Sequence, residues 1–224
     1  MEEEPFSLQT PELRTTVHLN NFLDEQISWR KKELTHVKLL IDSSNEAPLS
    51  LNVLLRCGIV ILYAHWEGFL KYAATSYVKY VSFQRHNCEE LTANFVSLAM
   101  KKELNKALST NKATIYVEVA NLFITGLSMK ANIMYDDAIH TKSNLNSEVL
   151  REIMCIMGFD YSYYAPKEHL IDARLLKNRN EVAHGKELTI DKADYNDIHL
   201  TIISLMDNFK KQVIDGAIQK AYLR

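Results

Sequence analysis

The segment Leu175–Gly185 reads L-L-K-N-R-N-E-V-A-H-G, and how it folds decides how the chain around it is organised. It closes a run from Lys167 to Ala183 that has no internal Gly or Pro and is rich in good helix formers. Pro166 suits a first helical turn, and Gly185 suits the left-handed residue that often ends a helix. The run predicts one α-helix over 167–183. At about 100° per residue, Leu175, Leu176, Arg179, Val182 and Ala183 gather on one apolar side. Arg179 is therefore expected within the stripe that faces the core. Asn180 and His184, four apart, share the neighbouring face, with Lys177 three before Asn180. Arg179 and His184 stand roughly 140° apart around an ideal helix. Such a pair is better suited to flanking a ligand than to holding a metal ion.

Outward from this segment the chain reads as helices. Thr10-Pro11-Glu12 has the cap-then-proline order of a helix start, and apolar marks carry the first helix to about Ile41. D-S-S-N-E-A-P at 42–48 is a break. A long second helix is expected from Leu49 to about Gln84, apolar nearly all round between Leu51 and Leu62, as a central helix would be. Two shorter helices follow at about 90–108 and 113–126. Thr114, Ile115, Val117 and Val119 leave a strand as the competing reading of the latter. Residues 127–146 have no clear period and read as a loop or irregular insert. Ser147–Met157 is a short helix, and Asp191–Asp194 opens a last long one. The sum is an all-α fold, a single-domain helical bundle over 11–224 behind a flexible lead-in at 1–10.

Composition narrows the classes. The 224 residues are 47% hydrophobic and 24% charged, ordinary globular values. Six Gly and four Pro are few for a turn-rich β protein. A net charge of −2 supplies no global attraction to nucleic acid, which counts against a tight, non-specific binder. Cys57, Cys88 and Cys155 are scattered and odd in number, so neither a zinc site nor a disulfide framework is indicated, and a cytoplasmic location is expected. The acidic start M-E-E-E-P-F lacks signal-peptide character, and the longest apolar stretch, Cys57–Ala64, is short for a bilayer. No membrane association is expected. No phosphate-binding Gly-rich loop, G-x-S-x-G or H-E-x-x-H occurs, which argues against an NTPase, an α/β-hydrolase or a zinc protease. No metal or cofactor is expected.

Two further places invite chemistry. Glu67 is the only acid between Glu46 and Glu89 and sits on the most apolar helix, beside Trp66 and Phe69. A charge there must find a partner or change its ionisation. Arg179, a cation in an apolar stripe, is the expected partner, in a pair that docks the two helices or supports a site. Tyr63, Trp66 and Tyr72 could stack on bases, although core packing is the favoured reading. Lys177 and Lys186 flank the Arg–His segment, where they could meet phosphate.

Arg179-Asn180-Glu181-Val182-Ala183-His184-Gly185, together with Tyr63-Ala64-His65-Trp66-Glu67-Gly68-Phe69-Leu70, resembles the HEPN superfamily, helical bundles with an R-x(4–6)-H signature. The second motif is similar to the helix-2 element of toxin-like, defence-associated members. The resemblance spans about residues 50–210 and implies a metal-independent endoribonuclease acting in toxin–antitoxin or antiphage defence. Two protomers would set their signatures face to face in a composite cleft. Carried over, Arg179 would stabilise charge on the scissile phosphate, and His184 would act as general acid or base. Asn180 would position the phosphate or the histidine, and Glu67 would orient Arg179. RNA, a second copy of the chain and an antitoxin or regulatory protein are the implied partners. Some members instead keep the fold as a non-catalytic module for dimerisation and partner or nucleotide binding. Some toxins of the group carry Tyr two residues after the His; here Lys186 stands there.

Overall fold

The Thr15 side chain accepts the His18 amide at 3.1 Å, and this cap starts α1 (Thr16–Ser43). The structure, a computed structural model, describes residues 12–44, 48–141 and 144–224. The expected lead-in at 1–10 and the Thr10-Pro11 pair lie outside them. Among the described residues helical backbone begins at Thr16, where the Thr15 hydroxyl supplies the acceptor that the first amides need.

Pro48 opens α2 (Pro48–Gln84), whose 37 residues make it the axis of the bundle. Helices α1 and α7 (Lys192–Ile218) pack on it and on each other, while α5 (Ser147–Met157) and α6 (Lys177–Ala183) lie against its flanks. Leu55, Ile59, Leu62, Trp66, Phe69 and Leu70 are the α2 side of the core and are at most 1% exposed. Gly58 sets the closest approach. A Cβ there would come 2.8 Å from the Tyr195 ring of α7 and 2.9 Å from Ile41 of α1. By length and mean hydropathy α2 is the one described helix that could cross a bilayer, and 39% of its most apolar window is buried within the bundle.

Helices α3 (Ala93–Leu108) and α4 (Ala113–Thr125) form a hairpin that leans on α5 through α3. The β-branched run in α4 is helical, and none of its residues is buried. Among the described residues the only bridge pairings are isolated, Asn87 with Lys130 and Leu91 with Leu223, so the all-α reading stands. Of the stretch 127–146 expected to be irregular, 127–128 belong to a 3-10 turn (Gly126–Ser128), and the described residues 129–141 and 144–146 are irregular yet not a slack loop. They form a strap that meets α2 at Ile133, Tyr135 and Leu145, and Ile133, Ala138, Ile139 and Leu145 are buried. Ser82 Oγ donates to the Ile133 carbonyl at 3.4 Å, and the Leu145 amide donates to the Tyr63 hydroxyl at 2.6 Å.

The single helix expected over 167–183 is replaced by three pieces. A 3-10 turn spans Ala165–Lys167, a π-helix spans Leu170–Leu176, and α-helix resumes only for Lys177–Ala183. The wide turn is held from both sides. Ile171 and Leu175 are fully buried, while both Asp172 carboxylate oxygens accept from Ser147 at the start of α5 (2.7 and 2.6 Å). Arg174 bridges to Asp194 and Asp197 of α7. Tertiary anchors of this kind override the local α preference, and π-turns are commonly found near functional sites. The apolar stripe also ends sooner than its period implied: Leu176 is buried, Val182 is half-buried and Ala183 is exposed.

Candidate active site

The short helix α6 is closed by two hydrogen bonds that satisfy its last carbonyls. Gly185 N–H donates to Val182 O (3.0 Å) and Lys186 N–H to Glu181 O (2.9 Å), with Gly185 at φ +68°. His184 is thereby held as the last residue before the turn. Its amide donates to Asn180 O at 3.0 Å, and its side chain is exposed.

Arg179 points the other way, toward α2. Its Cζ lies 4.7 Å from the centre of the Tyr63 ring, within cation–π range, and Nη1 donates to Asn180 Oδ1 at 2.7 Å. Tyr63 is 1% exposed. Its hydroxyl accepts the Leu145 amide of the strap, and the Glu67 carboxylate lies near it one turn further along α2. Burial chiefly, with Glu67 adding to it, raises the Tyr63 phenol well above the usual tyrosine range, against the Leu145 amide and Arg179. The phenol therefore stays protonated.

This arrangement corrects the expected Glu67–Arg179 ion pair. No such pair forms among the described residues; Tyr63 stands between them and couples one to the other. Its flat ring offers the guanidinium a face without neutralising it, and its hydroxyl lies near the half-buried carboxylate. Asn180 likewise grips Arg179. Lys177 and Lys186 are exposed at the two ends of α6, and neither makes an ion pair among the described residues. Two positions from Arg179 in α-helix, Lys177 faces roughly the opposite side.

The rest of the Tyr63–Leu70 motif is divided between neighbours. Trp66 is fully buried core. His65 turns to α1, with Nε2 at 3.0 Å from the Glu33 carboxylate and its ring edge-to-face with Trp29 at 5.1 Å. Burial holds His65 below the ordinary histidine range; Glu33 opposes this and Arg30 reinforces it. The signal for Tyr63 was present in its spacing, four residues before Glu67 on the same helix face. Nothing in the sequence announced that Leu145 would come to it from 82 positions away. Among the described residues no group of three His, Cys, Asp or Glu side chains is placed to hold a metal ion.

A helical bundle with Arg and His on one short surface helix, braced by a Tyr–Glu pair on its long central helix, is a HEPN-type module. The chain belongs to the RiboL-PSP-HEPN family, whose sequence model matches residues 25–215, from within α1 almost to the end of α7. No curated protein and no solved structure matches the chain.

Proposed function

We propose that the chain is a metal-independent endoribonuclease of HEPN type that cleaves RNA in a composite site shared by two copies. The observation that carries this reading is the state of Arg179. Its guanidinium is held by a ring face and one amide oxygen, with no carboxylate to neutralise it among the described residues. A cation positioned in this way and left uncompensated is suited to the charge that develops on a scissile phosphate. His184, exposed at the helix end, takes the proton from the ribose 2′-OH or returns one to the leaving 5′-oxygen. The 2′-oxygen forms its bond to phosphorus as the bond to the 5′-oxygen breaks. The products are a 2′,3′-cyclic phosphate and a 5′-OH.

The second copy answers the divergence of the two side chains: Arg from one protomer and His from its partner can meet one phosphate. An apolar stripe on the open side of α2 supports it, with Val53 52% exposed, Cys57 and Ala64 exposed, and Val60 and Ile61 half-buried. In this reading the protein is a toxin or defence effector, and a regulatory protein such as an antitoxin restrains it. A second reading is a non-catalytic module for dimerisation and partner binding. It is favoured by α4, which exposes Tyr116, Val117, Phe123 and Ile124 and buries none of its residues.

Incubation of wild type, Arg179→Ala and His184→Ala with mixed RNA in EDTA separates the two. Cleavage by wild type alone, leaving cyclic phosphate ends, is expected. Metal-dependent cleavage that survives both substitutions would sink this mechanism, and silence across several RNAs would favour the binding module.

A further inference from the structure

Beyond Glu67 the chain has no acidic residue until Glu89, and over that span α2 and its end expose Lys71 and Arg85 while Lys79 is buried. Two cavities open on this half of the helix, on the side where the strap runs. One, of about 310 Å³, lies between Lys71, Tyr72, Thr75 and Lys79 of α2 and Tyr135 and Asp136 of the strap. The other, of about 430 Å³, lies among Arg14, Phe83, Arg85 and Lys130, and no carboxylate lines it. Arg14 does keep Glu12 at 2.9 Å, and Glu90 is near Lys130 but is engaged by His86 and the Asn87 amide.

Aromatic rings alternate with these cations. Phe83 and Tyr135 meet edge-to-face at 6.0 Å where the two cavities adjoin. Lys79 Nζ lies 5.8 Å from the Phe83 ring and 5.4 Å from the Tyr135 ring, and Arg14 lies 5.8 Å from Phe83. Tyr72 has the Arg30 guanidinium 5.4 Å from its ring. Tyr72, Phe83 and Tyr135 are each half-exposed, unlike the fully buried Trp66 and Tyr77. From Lys71 to Arg85 the helix advances about 21 Å, room for several nucleotides of extended chain.

From this we infer that single-stranded RNA lies along the C-terminal half of α2 and is led past Glu67 to the Arg179–His184 site. The inference rests on the ribonuclease reading for its substrate. Cations that follow a backbone, interleaved with rings that take unstacked bases, are the physical design of a single-strand track. A paired duplex keeps its bases stacked and gives such rings nothing to hold. The local charge also reconciles RNA binding with an overall charge of −2, since the attraction is confined to one face.

The test is fluorescence anisotropy with a labelled 12-nucleotide 2′-O-methyl RNA, which cannot be cleaved because its 2′-oxygens are blocked. Wild type is compared with Lys71→Glu, with Arg85→Glu/Lys130→Glu and with Tyr135→Ala, each checked for an unchanged circular dichroism spectrum. The first three of these positions are exposed, so the charge reversals should leave folding intact. Affinity should fall about tenfold or more in the double variant, with a shallower dependence on salt. Tyr135→Ala should weaken binding without changing the salt slope. Affinities unchanged in the charge variants, or a duplex of the same sequence bound as tightly as the single strand, would overturn the track. If cleavage assays fail while this pattern holds, the ribonuclease reading falls and the track stands. If RNA is cleaved but these variants bind normally, the reverse is true.

Discussion

At the scale of single residues, the site depends on Tyr63 more than on any direct charge pair. Replacing Tyr63 by Phe keeps the ring under Arg179 but removes the hydroxyl that accepts the Leu145 amide and lies near Glu67. Leaving that amide unpaired should cost about 1–3 kcal/mol, read by urea unfolding, while cleavage falls much less than in Arg179→Ala. A cleavage defect in Tyr63→Phe equal to that of Arg179→Ala would mean that the hydroxyl itself touches substrate. Two buried histidines make stability depend on pH. Burial, with Lys38 adding to it, holds His199 below its ordinary value of 6.5, and burial does the same for His65. Below about 6.5 the unfolded chain takes up protons that the folded chain refuses, so folding stability falls as pH drops. The melting temperature should decrease from pH 7.5 to pH 5.5, and His199→Gln should flatten that slope. A slope unchanged by the substitution would assign the acid sensitivity elsewhere.

At the scale of elements, glycines test two different constraints. Gly185 has a positive φ and open space around its missing Cβ, so Gly185→Ala meets only backbone strain, about 1–2 kcal/mol. Its larger effect should be on cleavage, because the turn it makes fixes His184. Gly58 is the opposite case: its Cβ would press on the Tyr195 ring and Ile41 where α2 meets α7 and α1. Gly58→Ala should therefore cost about 1–3 kcal/mol by overpacking, and thermal melts of the two variants compare them directly. Helix positions were largely legible. Ser147–Met157 and the end of α2 at Gln84 agree with the pattern of apolar residues and breakers. The π-turn at Leu170–Leu176 was not, because it is made by Asp172 and Arg174 reaching α5 and α7, contacts that no local period encodes.

At the scale of the whole molecule, the central helix keeps an apolar stripe partly exposed, and the proposed pairing of two copies rests on it. Cys57→Asp places a charge in that stripe at an exposed position. If two copies meet there, the variant should sediment as a monomer at micromolar concentration and lose cleavage while keeping its helical spectrum. A variant that stays dimeric and active would move the interface to another face, and the exposed apolar side of α4 would be the next to probe.

What the sequence determined by itself was the helical plan. Apolar period, breakers and caps are local, and Arg179, His184 and Glu67 stand out because charged or polar groups sit oddly beside apolar ones. What only the tertiary structure decided was how these residues are joined. Tyr63 stands near both Glu67 and Arg179, and Leu145 closes over its hydroxyl from the strap. The strap's course beside α2 likewise brought scattered lysines, arginines and aromatic rings to one face. Such meetings depend on chain segments far apart in sequence, and their geometry is set by packing rather than by the local preference of any segment.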